Sequence, residues 1–232
     1  METHYFLVAH GSRDLRSQQS FQQLTALFTQ AAAHRGIKPE QIHSGTLELG
    51  LPLEERLQQL GQSLAEPATV EILPLFLLPG THVMSDIPEA IAVAQQQVPQ
   101  VHFNLRPHLG SHPGILELLR ARISTRHPWI LVAHGSRYPG GNAVVEELAT
   151  ALDVKPAYWS VEPSLEDSLR PIVEQGHRNV GVLPYFLFSG KITDAIAEQI
   201  NQLKYRFGQL NLALSSPLDP SPALAQLLID LT

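Results

Sequence analysis

The 232-residue chain contains no cysteine. This absence excludes a disulfide scaffold, a thiolate zinc or iron–sulfur site and a cysteine nucleophile. It also fits a reducing compartment, and residues 1–4 lack the basic and apolar regions of a signal peptide, so we expect a cytoplasmic protein. No apolar run is long enough to span a membrane. The longest, around residues 72–78, contains Pro74 and is typical of a buried strand.

Positive charge is also scarce. The chain has 16 Lys and Arg residues and 22 Asp and Glu residues, which gives a formal net charge of −6. A large nucleic-acid interface needs clustered Lys and Arg, so we expect no nucleic-acid partner. A local group of basic side chains can still bind an anionic small molecule. Histidine, in contrast, is abundant, with 11 residues. Neutral imidazole is a common ligand of divalent transition metals.

Several catalytic motifs are missing. No Gly-x-Gly-x-x-Gly follows a strand and no Walker A sequence is present, so a nucleotide site has no support. Gly-x-Ser-x-Gly is absent, so Ser12 does not lie at a nucleophile elbow. Neither His-Glu-x-x-His nor an EF-hand loop occurs. A metal site would therefore be built from separate strands.

The chain does contain one sequence motif that occurs twice. Leu-Val-Ala-His-Gly-Ser-Arg occupies residues 7–13 and again 131–137. A second pair of matching segments, residues 73–80 and 183–190, follows in the same order. We therefore predict two tandem similar units, an N-terminal unit over 1–126 that carries the active site and a degenerate C-terminal unit over 127–232.

Each unit alternates apolar strand-like runs with segments of helical composition. Strands joined by helical crossovers form parallel sheets with both faces covered. The sequence therefore predicts an α/β fold in which each unit has a roughly four-stranded parallel sheet flanked by helices. We expect strands near residues 5–9, 42–49, 70–77, 101–105, 130–133, 157–161, 179–187 and 211–214. Asp86 or Ser85 is expected to cap the helix that follows the third strand.

Three polar side chains are predicted at one edge of the first sheet. Ligands of parallel α/β sheets bind beyond the carboxyl ends of the strands. His10 follows the first strand, Glu48 ends the second, and His82 lies in the loop after the third. Two imidazoles and a carboxylate suit transient binding of a divalent transition metal. The alternatives are a tight turn at His10, a solvated cap at Glu48 and sequence drift in the surface loop at His82.

The two copies differ at these positions. His10 is matched by His134 and Glu48 by Glu162, whereas Lys191 takes the place of His82. A histidine kept in both units can be purely structural, so His82 is the informative residue. We therefore expect a pseudo-symmetric cleft with one working half, in which the second unit mainly completes the wall around the substrate.

Four motifs in this order resemble the sirohydrochlorin chelatases, the class II tetrapyrrole chelatases, in their long two-unit form. They are residues 7–13, Leu47-Glu48 before Pro52, residues 74–82 with Asp86-Ile87, and Leu109-Gly110-x-His112-Pro113. The resemblance implies a chelatase-like, flavodoxin-like topology and ATP-independent insertion of Co²⁺ or Fe²⁺ into sirohydrochlorin, in siroheme or cobalamin biosynthesis.

The resemblance also implies roles for residues and partners. His10 and His82 match the family's catalytic, metal-handling pair, and Glu48 matches a helper carboxylate. No cofactor is implied beyond the divalent metal substrate. Because both units lie in one chain, we expect a monomer. Sirohydrochlorin carries carboxylates, for which Arg13, Arg106 and Lys191 are candidate partners.

Alternatives stay open at this point. Arg13 has Asp14 or a helix end as an alternative partner. A non-catalytic carrier of a tetrapyrrole or metal would have the same fold. A histidine-dependent phosphatase is less favoured, since such enzymes usually have Arg before the histidine, where Ala9 and Ala133 stand. The sequence does not choose among Co²⁺, Fe²⁺ and Ni²⁺.

Overall fold

The computed structural model describes residues 2–64, 67–208 and 210–232. It divides into two compact units, Met1–His112 with Pro220–Thr232, and Pro113–Asp219. Each unit contains one four-stranded parallel sheet flanked by helices, which confirms the predicted fold class. No helix within the described residues is long and apolar enough to cross a membrane.

The first unit has the strand order β2-β1-β3-β4. Its elements are β1 (Glu2–Ala9), α1 (Leu15–Ala33), β2 (Ile42–Thr46), α2 (Leu53–Ser63), β3 (Ala68–Pro74), α3 (Ile87–Gln97), β4 (Val101–Leu105) and α8 (Pro222–Asp230). A π-helical turn, His82–Asp86, leads directly into α3. Short 3-10 turns cover Pro39–Gln41 and Leu109–Ser111.

The second unit repeats this arrangement with the strand order β6-β5-β7-β8. Its elements are α4 (Gly114–Arg120), β5 (Trp129–Ala133), α5 (Ala143–Leu152), β6 (Lys155–Tyr158), α6 (Leu165–Glu174), β7 (Asn179–Tyr185), α7 (Lys191–Phe207) and β8 (Asn211–Leu214). The equal strand order means that both units place corresponding loops at the carboxyl edge of the sheet.

The central strands are buried on both faces, as their continuous apolar sequences predict. Val8 and Ile72 pack in one cluster with Leu57 of α2 and Ile87 of α3. Leu7 is also fully buried and, because side chains alternate along a strand, points to the opposite face. Burying one such side chain contributes about 1.5–3 kcal/mol, so the sheet edge that holds the site rests on a rigid core.

The two sequence repeats exchange their last helices between the compact units. Helix α8 belongs to the first unit, where Arg35 of α1 donates to the Ile229 carbonyl and pairs with Asp230, both at 3.0 Å. Helix α4 belongs to the second unit, where Arg120 donates to the Ala151 carbonyl at 3.3 Å. The compact units therefore differ from the contiguous segments 1–126 and 127–232 that the repeat predicts.

Two element boundaries near the site differ from the predictions. Strand β2 ends at Thr46, so Glu48 lies two residues beyond it. Asp86 does not cap α3: its backbone is already helical, with φ −64° and ψ −45°, and its side chain makes no cap hydrogen bond. A capping residue has an extended backbone, whereas here the π turn has started the helix at His82.

Candidate active site

Three loops at the carboxyl edge of the first sheet carry the predicted site. Strand β1 pairs in parallel with β2 on one side and β3 on the other. His10 directly follows β1, Glu48 follows β2, and His82 opens the π turn after β3. Since neighbouring parallel strands end at the same edge, the topology brings these distant residues together.

Backbone hydrogen bonds hold the first two loops beyond the strand ends. The Leu47 amide donates to the Ala9 carbonyl and the Glu48 amide donates to the His10 carbonyl, both at 3.0 Å. Gly11 turns the chain away with φ +97°, and a Cβ there would lie 3.1 Å from Thr46 Cβ. This position requires glycine, because other residues rarely adopt positive φ and have no space here.

His10, Glu48 and His82 form one group of potential metal ligands. One ligand atom from each lies within 4.8 Å of the others. His10 Nε2 is 3.4 Å from Glu48 Oε1, and the two imidazole rings meet edge to face with centroids 4.7 Å apart. Within the described part of the chain this is the one such group of three. The site is partly exposed, so a metal ion or a proton can reach it from solvent.

Both imidazoles are oriented through their Nδ1 atoms. His10 Nδ1 lies 2.9 Å from the Gly11 carbonyl oxygen, which can only accept, so Nδ1 carries the proton. His82 Nδ1 lies 2.5 Å from Asp86 Oδ2. These bonds leave the Nε2 lone pairs available. Metal-binding histidines commonly donate their other N–H to a carbonyl or carboxylate in this way.

The sequence predicted that His10, Glu48 and His82 lie together, as they do, but not the contact between Asp86 and His82. The available signal was the spacing of four residues between His82 and Asp86, which places both on one face of a helical turn. The spacing was overlooked because an Asp directly before a helix is commonly a capping residue.

The third loop is anchored by the segment that follows β4. The Phe76 ring lies 5.9 Å from the His82 ring. The Phe76 carbonyl accepts from the Gly110 amide at 2.9 Å and from His108 Nδ1 at 3.0 Å. Burial lowers the pKa of His108, and the bond to Phe76 partly opposes this effect. A Cβ at Gly110 would lie 2.0 Å from the Leu77 carbonyl oxygen, so glycine permits this close contact.

The corresponding edge of the second unit has the same backbone and different side chains. The Trp159 amide donates to the Ala133 carbonyl and the Ser160 amide donates to the His134 carbonyl, each at 2.9 Å. Ser160 therefore occupies the position of Glu48. The match of Glu48 with Glu162 is corrected by this register, since Glu162 lies two residues further along the chain than Ser160.

The third loop of the second unit also lacks a counterpart of the His82 site. Six residues separate Gly80 from the buried Ile87, whereas five separate Gly190 from the buried Ile196. The extra residue in the first unit accompanies the π turn, while α7 starts at Lys191 as an ordinary α-helix. Counted back from the two isoleucines, Asp86 corresponds to Ala195.

The three basic candidates are placed differently. Arg106 Nε donates to the Leu231 carbonyl at 2.6 Å and lies 3.7 Å from Glu71 Oε2, so Arg106 ties the end of α8 to the sheet. Arg13 is exposed and makes no ion pair with any described residue, while Asp14 pairs with Arg16 at 2.7 Å. Lys191 is exposed at the start of α7 and likewise has no ion pair within the described chain.

The chain is thus a duplicated parallel α/β protein with a group of three potential metal ligands, His10, Glu48 and His82, at the strand ends of its first sheet. The family model CbiX matches residues 4–126 and, a second time, 128–232. The chain therefore belongs to the CbiX family, which confirms the resemblance seen in the sequence motifs.

Individual relatives agree with this assignment. A sirohydrochlorin ferrochelatase of Priestia megaterium is 31% identical over 183 residues, covering 72% of this chain and 68% of the relative. A sirohydrochlorin cobaltochelatase of the same organism is 27% identical over 177 residues, covering 68% of this chain and 58% of the relative. The match thus spans little more than half of the cobaltochelatase.

Solved structures share the fold over the whole chain. The sirohydrochlorin chelatase SirB from Bacillus subtilis subspecies spizizenii, in complex with cobalt, matches with a TM-score of 0.79 at 23% identity. SirB from Bacillus subtilis with Fe³⁺ matches with a TM-score of 0.80 at 22% identity. In both cases 100% of this chain and 94% of the other are covered.

Proposed function

We propose that this protein is a metal chelatase that inserts Co²⁺ or Fe²⁺ into sirohydrochlorin without ATP, in siroheme or cobalamin biosynthesis. The observation that carries the proposal is the group of His10, Glu48 and His82, with both imidazoles held through Nδ1 and their Nε2 atoms available. The activities named for the relatives support the same reaction.

The reaction requires a metal ion to be delivered and two protons to be removed. Sirohydrochlorin loses both pyrrole protons as its nitrogens bind M²⁺, so the charges balance. His10 and His82 offer Nε2 as metal ligands, and Glu48 offers an oxygen. Once the metal leaves for the ring, the same lone pairs can accept protons. Because the site is partly exposed, those protons can pass to solvent.

Exposed apolar side chains on the three site loops support a flat, apolar ligand. Leu15 begins α1 after His10 and is 69% exposed, Leu51 follows Glu48 and is 43% exposed, and Met84 in the π turn is 56% exposed. An apolar rim of this kind fits the face of a tetrapyrrole ring. We refer to Leu15, Leu51 and Met84 as the apolar rim.

Charge and partners follow from the same proposal. The unpaired Arg13 is the best candidate in the first unit for a substrate carboxylate, and Lys191 is the candidate in the second. Arg106 is a weaker candidate because its guanidinium already holds Leu231 and Glu71. We infer a cytoplasmic monomer that uses no nucleic acid and no cofactor beyond its metal substrate.

The test is an absorbance assay of metal insertion into sirohydrochlorin, with Co²⁺ and with Fe²⁺. We expect His10→Ala and His82→Ala to lose at least about 100-fold in rate, the usual scale for a positioned acid–base group. His134→Ala is the matched control and should stay within about twofold, since among the described residues His134 belongs to no group of three potential metal ligands.

Each alternative gives a different result in the same assay. Full activity of His82→Ala, or a loss confined to His134→Ala, contradicts the assignment of the site. A carrier would bind sirohydrochlorin or metal with no product formed. A phosphatase would instead hydrolyse a generic phosphate ester.

A further inference from the structure

We infer that Asp86 is a positioning residue, which fixes the tautomer and ring orientation of His82 and so presents Nε2 to the metal. This inference rests on the proposed function for the meaning of the site. The contact itself is direct, since Asp86 Oδ2 lies 2.5 Å from His82 Nδ1.

The hydrogen bond selects one of two neutral forms of the ring. An ionised carboxylate can only accept, so Nδ1 of His82 must carry the proton. The remaining nitrogen, Nε2, then has its lone pair free for a metal ion. Without Asp86, part of the His82 population would carry the proton on Nε2 and could not bind metal there. Charged acceptors make such bonds stronger than neutral ones, which favours the competent tautomer.

The local backbone provides the contact. His82 and Asp86 are the first and last residues of the π turn, and the side chains meet across it. Single π turns inside helices are rare and frequently lie at functional sites. The shorter second-unit loop has no π turn, and the position matching Asp86 is Ala195. Of these two described loops, the one with the π turn is the one in which a histidine and a carboxylate meet.

The orientation of His10 shows why His82 needs a separate partner. His10 Nδ1 donates to the carbonyl of the next residue, Gly11, which the chain supplies without any side chain. For Nδ1 of His82, the partner is instead a side chain, the Asp86 carboxylate. Partners of this kind typically contribute 10–100-fold to metal affinity or activity.

The experiment compares Asp86→Ala and Asp86→Asn with wild type in two assays. Long-range ¹H–¹⁵N NMR of the metal-free protein reports which nitrogen of His82 carries the proton. Titration with Co²⁺ alone, followed by visible absorbance, reports affinity. Glu89→Gln is the matched control, since it removes one acidic charge from the first turn of α3 without touching His82.

We expect Nδ1–H in wild type and a mixture of tautomers in Asp86→Ala, with Co²⁺ affinity lowered about 10–100-fold. Asp86→Asn should fall between the two, because its amide oxygen can still accept from Nδ1. Glu89→Gln should match wild type. Equal losses in Asp86→Asn, Asp86→Ala and Glu89→Gln would show that only charge matters and would overturn the inference.

The NMR readout also separates this inference from the proposed function. An unchanged His82 tautomer in Asp86→Ala, with Co²⁺ affinity within about twofold of wild type, overturns the positioning role even if the enzyme inserts metal. A shifted tautomer with weakened Co²⁺ binding upholds it, even if wild-type protein yields no product from sirohydrochlorin. Equal unfolding midpoints in urea verify that the variants are folded.

Discussion

The carboxyl edges of the two sheets share a backbone and differ in what they can bind. Each has a glycine with positive φ after the histidine, Gly11 and Gly135. In each, the histidine carbonyl also accepts a hydrogen bond from a backbone amide of the loop after the neighbouring strand. The first edge adds Glu48 and His82, whereas the second has Ser160 and the start of α7. The same backbone therefore accommodates different side chains at this edge, and the repeated His-Gly-Ser-Arg motif alone does not identify the candidate site.

Replacing Glu48 tests this comparison with the largest expected effect. Glu48→Ala removes the proposed ligand and proton acceptor 3.4 Å from His10, so we expect a loss of about 100-fold in the rate of metal insertion. Two control variants change the second-unit positions that correspond to Glu48. Ser160→Ala changes the residue that corresponds by backbone register, and Glu162→Ala changes the residue that corresponds by sequence comparison. Both should keep their rate within about twofold, measured as initial absorbance change.

A comparable loss in Ser160→Ala or Glu162→Ala would break the comparison, because it would place chemistry in the second unit. Full activity in Glu48→Ala would reduce the site to its two histidines. Co²⁺ titration of the same variants distinguishes a lost ligand, which weakens binding, from a lost proton acceptor, which leaves binding intact.

Most of the fold follows from the sequence because its determinants are local. Apolar runs separated by helical segments require crossovers, and crossovers require parallel strands, so the sheets and their carboxyl edges follow. The convergence of His10, Glu48 and His82 then needs only the rule that ligands bind at that edge. None of these steps depends on exact side-chain geometry.

The features that escaped prediction depend on register and on tertiary packing. Pairing Ser160 with Glu48 requires knowing that Ala133 opposes Tyr158 as Ala9 opposes Thr46, which a gapped comparison of sequences does not reveal. The packing of α8 in the first unit depends on a buried face that includes Leu224 and Leu228, whose partner helix the sequence does not name. The contact between Asp86 and His82 appears only once the π turn is seen.

The apolar rim gives a smaller expected effect. Leu51→Ser and Met84→Ser remove part of an exposed apolar surface on the site loops, so KM for sirohydrochlorin should rise about three- to tenfold, corresponding to about 1 kcal/mol of lost contact. Co²⁺ affinity should not change. Val93→Ser, at a 48% exposed position on α3, is the matched control. An equal rise in KM for Val93→Ser would show that the rim has no special contact with the ring.

The smallest effect concerns a histidine pair found only in the first unit. His4 Nδ1 lies 3.2 Å from His43 Nε2, and Glu2 Oε2 lies 3.7 Å from His4 Nε2. The register places Pro128 and Lys155 at the matching positions of the second unit. Burial, and then the charge of His4, lower the pKa of His43.

Because the folded-state pKa of His43 lies below its unfolded value, the unfolded chain takes up the proton more readily. The stabilisation is complete above about pH 6.5 and is lost as the pH falls through the folded-state pKa. Urea unfolding at pH 7.5 and 5.5 should therefore show a larger decrease for wild type than for His43→Gln. The substitution changes the contact with His4 at both pH values, so only the difference between the two pH values measures titration. Equal decreases in the two proteins would mean that titration of His43 does not contribute to the acid sensitivity of the fold.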